Sequence, residues 1–117
     1  MPPTSPAHDL DEVRRQAQGQ GQEPRVTRTL ALDPVMARLD LTEPQARHWI
    51  LALVADLAPL DFAETLIAKP PPADVYGVHR QGCGWYVKVV LEPDGRLVVI
   101  SCHPPMTTLR TRSGPIR

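Results

Sequence analysis

A tyrosine, a lysine and a histidine lie close together in the stretch GWYVKVVLEPDGRLVVISCH, Gly84 to His103. Histidine exchanges protons near neutral pH, a phenol can donate one, and lysine supplies a compact positive charge. Gathered on one surface, Tyr86, Lys88 and His103 have the chemistry for metal-free RNA scission. A base takes the 2′-hydroxyl proton, the freed oxygen attacks the adjacent phosphate, an acid protonates the leaving 5′-oxygen, and cations steady the phosphorane. The residue types leave the acid and base assignments open.

Those three residues can cooperate only if the backbone puts them on one face. The stretch reads as two strands, Trp85 to Glu92 and Leu97 to His103, joined by EPDGR. A three-residue loop closed by Gly95 would pair Glu92 with Arg96 and leave both sheet faces mixed. A loop with an even number of residues puts Trp85, Val87, Val89 and Leu91 on a face with Val98, Ile100 and Cys102. Tyr86 then lies across from His103, and Lys88 from Ser101. Exposing several large aliphatic side chains forfeits about 1.5–3 kcal/mol each, so segregation of the apolar face favours the even loop. A preceding strand, Asp74 to Gln81, turns at GCG and is expected to set His79 or Arg80 opposite Tyr86.

The elements that support this sheet precede it. DLDEVRRQAQ, 9–18, is an amphipathic helix with Leu10, Val13 and Ala17 on one side, closed by the linker GQGQEP. Arg25 to Arg28 is extended, and a short helix over Thr29 to Leu39 is interrupted or restarted at Pro34. Thr42 and Gln45 form a capping box for the strongest helix, in which Ala46, Trp49, Ile50, Leu53, Val54 and Leu57 make an apolar stripe that ends at Pro59. LDFAETLIAKPPPAD, 60–74, reads as the connection, with PPP at 70–72 a stiff extended spacer. Helices first and an antiparallel sheet last predict an α+β fold, with the helices packed on a small C-terminal sheet. The domain is expected over 9–104, with a disordered tail at 1–8 and a basic, flexible tail at 105–117 that includes Arg110, Arg112 and Arg117.

Composition narrows the class. The 117 residues suit one domain, no apolar run approaches the length of a membrane span, and a secretory leader is not evident. A cytoplasmic location is the expectation. Cys83 and Cys102 stand apart, without zinc-ligand spacing, and read as reduced thiols; no metal or other cofactor is implied. Net charge is zero but polarised. Residues 1–64 hold six Lys/Arg against ten Asp/Glu, and residues 65–117 hold seven against three, so the sheet half is the basic one and the better match for a polyanion. His48 and His8 receive no role.

Several short motifs, in order, resemble the MqsR family of type II toxin–antitoxin toxins: RVTRT at 25–29, LDF at 60–62, DVY at 74–76, WYVK at 85–88 and VVISCH at 98–103. The resemblance covers roughly residues 8–103. It implies a RelE-like fold, a ribosome-independent endoribonuclease acting on mRNA, and neutralisation by a cognate antitoxin protein that often binds DNA through a helix-turn-helix. Tyr86 and Lys88 match the family's Tyr-x-Lys motif, and His103 stands where the best-known members carry a catalytic lysine. Two positions depart: Ala73 replaces a glutamine before Asp-Val-Tyr, and Glu64 replaces a lysine after Asp-Phe. On this reading Tyr86, His103 and Lys88 are catalytic, while Arg80, His79, Lys69 and Arg28 are the candidate RNA and phosphate contacts. The alternative is a module of the same fold that binds RNA or protein without catalysis.

Overall fold

The computed structural model describes residues 5–117. Its elements, in chain order, are α1 (Leu10–Ala17), β1 (Arg25–Val26), a π-helical turn (Arg28–Leu32) leading into α2 (Asp33–Leu39), and α3 (Glu43–Ala55). Strands follow: β2 (Phe62–Leu66), β3 (Ala73–Arg80), β4 (Cys83–Leu91), β5 (Leu97–His103), β6 (Leu109–Thr111) and β7 (Gly114–Ile116). The fold is α+β. Among the described residues, no helix is long and apolar enough to cross a membrane.

Local chemistry sets the helices much as the sequence suggests. Asp9 caps α1 by accepting from the Asp11 amide. Thr42 and Gln45 close the capping box of α3 reciprocally. Pro34 has no N–H to continue an α-helical ladder backwards, and the turn before it is wider, with the Leu32 amide donating to the Thr27 carbonyl at 3.0 Å.

The main sheet has five strands in the order β1-β5-β4-β3-β2. It is mixed rather than wholly antiparallel, because β1 pairs parallel with β5. The stretch expected as a bare connection contributes β2, which pairs antiparallel with β3. One face packs on the helices. Val13, Val35, Ile50, Val54, Leu57, Trp85, Val87, Val89, Leu97, Val99 and Cys102 are inaccessible there. Trp49 of α3 meets Trp85 with ring centroids 4.9 Å apart, and the Trp85 indole N–H donates to the Arg80 carbonyl at 2.9 Å.

Both ends of the chain depart from the tails expected of them. Residues 1–4 lie outside the described residues, but the Ala7 and His8 amides donate to the Asp74 carboxylate at 2.9 and 2.8 Å. The fully buried Asp74 also accepts from Thr65 Oγ1 at 2.6 Å, so this segment satisfies a carboxylate that would otherwise be costly to bury. At the other end, β6 and β7 form an antiparallel hairpin on the sheet face away from the helices. Leu109 and Ile116 bury themselves against Val75, and the amides of Arg112 and Ser113 donate to the carbonyls of Phe62 and Leu60. A polar segment with two well-placed apolar residues docks because the sheet offers it an apolar hollow.

Candidate active site

The β4–β5 hairpin closes with the three-residue loop and not with the expected even one, and a bulge beyond the turn restores the expected pairing of Tyr86 and Lys88. Near the turn, Leu91 pairs with Leu97, and the Glu92 amide donates to the Arg96 carbonyl, with Gly95 left-handed at φ 89. This is the three-residue loop. Beyond it the register shifts between Lys88 and Val89, and Lys88 then pairs with Ser101 and Tyr86 with His103. Ile100 is the extra residue of this β-bulge, and Thr27 holds it, its hydroxyl donating to the Ile100 carbonyl at 2.6 Å. The bulge lets Leu97, Val99 and Cys102 all face the helices. Val98 and Ile100, expected on that side, lie with Ala73 and Val90 in a separate cluster instead. A single unbroken register would have stranded one of these apolar sets.

The sheet face away from the helices therefore carries a cross-strand row, Glu64–Val75–Lys88–Ser101, and beside it a second row, Gly77–Tyr86–His103. Glu64 reaches the first row through another bulge, between Phe62 and Glu64, since Phe62 itself points into the helical core. Tyr86 and His103 stack, with ring centroids 5.0 Å apart and planes at 13°. They line an open cleft of about 580 Å³ together with Lys88, Ser101, Glu64 and Arg110.

Each proton-handling group has a defined environment. His103 Nδ1 lies 2.9 Å from the Pro104 carbonyl oxygen. A carbonyl only accepts, so Nδ1 carries a proton, and in the neutral tautomer the lone pair lies on Nε2. Burial, and secondarily the Glu64 charge, raise the Tyr86 pKa above its ordinary value, so the phenol stays protonated at neutral pH. Lys88 has no ion pair among the described residues and remains an available cation.

None of the four expected phosphate contacts joins this cleft. Arg28 is bound to Asp33 at 3.2 Å and Glu43 at 2.6 Å. Arg80 lies on the helix side, 2.9 Å from Asp56. Lys69 is exposed in the loop between β2 and β3. His79 pairs with Gly84, at a point where the β6–β7 hairpin overlies the sheet. The β3–β4 connection is a two-residue turn, Gln81–Gly82, with φ 56 and 70, so Tyr86 lies opposite Gly77 and not opposite His79 or Arg80. Ala73 belongs to the apolar cluster with Val90 and Val98 and takes no part in the cleft.

The polar cleft residues that escaped the sequence reading of the site are Glu64, noted there only as a departure, and Thr107, Thr108 and Arg110, assigned to a tail; Arg110 is the cation among them. A signal for the tail residues existed. Mid-strand glycines mark close backbone approach, and a Cβ on Gly77 would lie 2.7 Å from Leu109 Cδ2 and 2.9 Å from Thr111 Cγ2. Among the described residues, no three His, Cys, Asp or Glu side chains converge as a group able to hold a metal ion. No family model and no curated protein matches this chain.

Proposed function

We propose that this protein is a metal-independent endoribonuclease with a RelE-like fold, a toxin of the mRNA-interferase kind held in check by a cognate antitoxin in the cytoplasm. The observation that carries the reading is the stacked Tyr86–His103 pair, with the histidine tautomer set by Pro104. In the reaction, His103 Nε2 removes the 2′-hydroxyl proton and O2′ attacks phosphorus. The P–O5′ bond breaks as the Tyr86 phenol protonates O5′, leaving a 2′,3′-cyclic phosphate and a 5′-hydroxyl. The imidazolium returns its proton to the phenolate, so the proton balance closes. Lys88 and the Ser101 hydroxyl steady the charge that gathers on the phosphorane.

The test is cleavage of single-stranded RNA by purified protein in EDTA, with the product ends identified. Cleavage that persists in chelator and falls at least a hundredfold in both His103→Ala and Tyr86→Phe is the expected result. RNA left intact across a broad range of sequences refutes the reading. One observation favours the non-catalytic alternative, an RNA- or protein-binding module: Glu64, with no ion pair among the described residues, places a carboxylate in the cleft proposed for phosphate. Binding that survives both substitutions, without product, would identify that case.

A further inference from the structure

The β6–β7 hairpin forms one wall of the cleft and carries a cation that pairs with no carboxylate among the described residues. Arg14, Arg15, Arg28, Arg47 and Arg80 each lie within ion-pair distance of a carboxylate. Arg110 is exposed, lines the cleft and has no ion pair among the described residues. The two threonines before it behave alike. Thr27, Thr42, Thr65 and Thr111 each use their hydroxyls in hydrogen bonds. Thr107 and Thr108, also exposed and lining the cleft, make no side-chain hydrogen bond among the described residues. β6 and the two residues before it thus present a guanidinium and two hydroxyls to the same space.

This wall is fixed in place. Leu109 and Ile116 are buried with Val75, and the Tyr86 side chain packs on that cluster. Thr111 Oγ1 donates to the Gly114 carbonyl at 2.7 Å, and the Arg112 guanidinium lies 5.0 Å from the centre of the Phe62 ring. Alternation along the strand turns Leu109 inward and Arg110 outward. Leu109 therefore packs in the cluster that Tyr86 joins, and Arg110 lines the cleft from the hairpin side, while His103 is the cross-strand neighbour of Tyr86 on β5. On the proposed function, Lys88 and Ser101 serve the scissile phosphate, and Arg110 lies apart from them on the hairpin side of the same cleft.

We infer that Arg110, Thr107 and Thr108 form a second phosphate subsite, which makes the substrate a single-stranded polynucleotide engaged through at least two successive phosphates. The inference rests on the reading of the cleft as a ribonuclease site. A dinucleotide presents the scissile phosphate only, and a longer strand places its neighbouring phosphate on Arg110. A guanidinium and hydroxyls carried by an anchored hairpin suit a phosphate's oxygens, through charge-assisted hydrogen bonds.

The experiment compares a dinucleoside monophosphate with a mixed-sequence RNA of about ten nucleotides, using wild-type protein, Arg110→Ala and Arg110→Lys. The subsite predicts that Arg110→Ala loses at least tenfold more kcat/KM on the longer RNA than on the dinucleotide. It also lowers the salt slope of oligomer binding by about 0.7, the value for one single-strand phosphate contact. Arg110→Lys should recover the slope without the full rate, because it keeps the charge and loses the fork. Equal losses on both substrates, or an unchanged slope, overturn the inference while leaving the nuclease reading intact. If no RNA is cleaved, oligomer binding by fluorescence anisotropy still decides: a slope reduced in Arg110→Ala upholds the subsite on a non-catalytic module, and no binding removes both.

Discussion

Replacing Gly77 by alanine tests whether the C-terminal hairpin is built into the sheet or merely rests on it. The new methyl group would lie 2.7 Å from Leu109 Cδ2, 2.9 Å from Thr111 Cγ2 and 3.0 Å from Ile116 Cγ1. Three side-chain atoms on one small hairpin would be crowded at once, and overpacking of this kind costs about 1–3 kcal/mol. The hairpin could relieve the crowding by lifting off. That would return Leu109 and Ile116, now 8% and 6% exposed, to water at about 1.5–3 kcal/mol each. Lifting is the more expensive response, so the strain is expected to be absorbed with the hairpin in place. Urea denaturation should show Gly77→Ala less stable by about 1–3 kcal/mol with an unchanged m-value, and residues 105–117 should stay protected from proteolysis. Leu109→Ala removes the nearest obstructing atom, so the double mutant should be more stable than the sum of the two single changes predicts. A neutral Gly77→Ala, or strict additivity with Leu109→Ala, would refute the close packing from which the cleft wall is argued.

Three further outcomes follow from particular contacts. Thr27→Val keeps the shape and removes the donor to the Ile100 carbonyl; it should cost about 1–3 kcal/mol in urea and weaken the Tyr86–His103 ring-current shifts by NMR, and unchanged shifts would disconnect that hydroxyl from the bulge. Glu64→Gln removes one of the two influences that raise the Tyr86 pKa, so phenolate absorbance should appear at lower pH than in wild type; because the group is exposed, the gain in RNA affinity should be at most about fivefold, and weaker RNA binding would contradict its repulsive role. Alkaline stability tests the buried acids. Burial raises the Cys102 thiol from 9.0 to about 12 and raises both tyrosines. The unfolded chain thus releases protons that the native state retains, and stability should be full below about pH 9 and decline as pH rises toward 12, by up to roughly 1.4 kcal/mol per unit for each group. Cys102→Ala should make that decline shallower, and an identical pH profile would show that the thiol does not contribute.

What the sequence determined by itself is local. The caps of α1 and α3, the apolar stripe of α3 and the alternation of β4 follow from residues a few positions apart, because helix and strand periods are written at that range. The pairing of Tyr86 with His103 also came through, although the even loop it was argued from did not, because the bulge supplies the same shift of one residue. Tertiary structure decided the rest. The bulge at Ile100 merges two registers that the sequence posed as alternatives, and it depends on Thr27, a residue 73 positions away. The bulge in β2 turns Glu64 into the cleft through pairing with Val75. Lone arginines do not announce their partners, so Arg28 and Arg80 were read as free while carboxylates from other elements neutralise them. The hairpin that carries Arg110 has too few apolar residues to form a core of its own; it folds because Gly77 leaves room above a sheet that only the assembled chain provides.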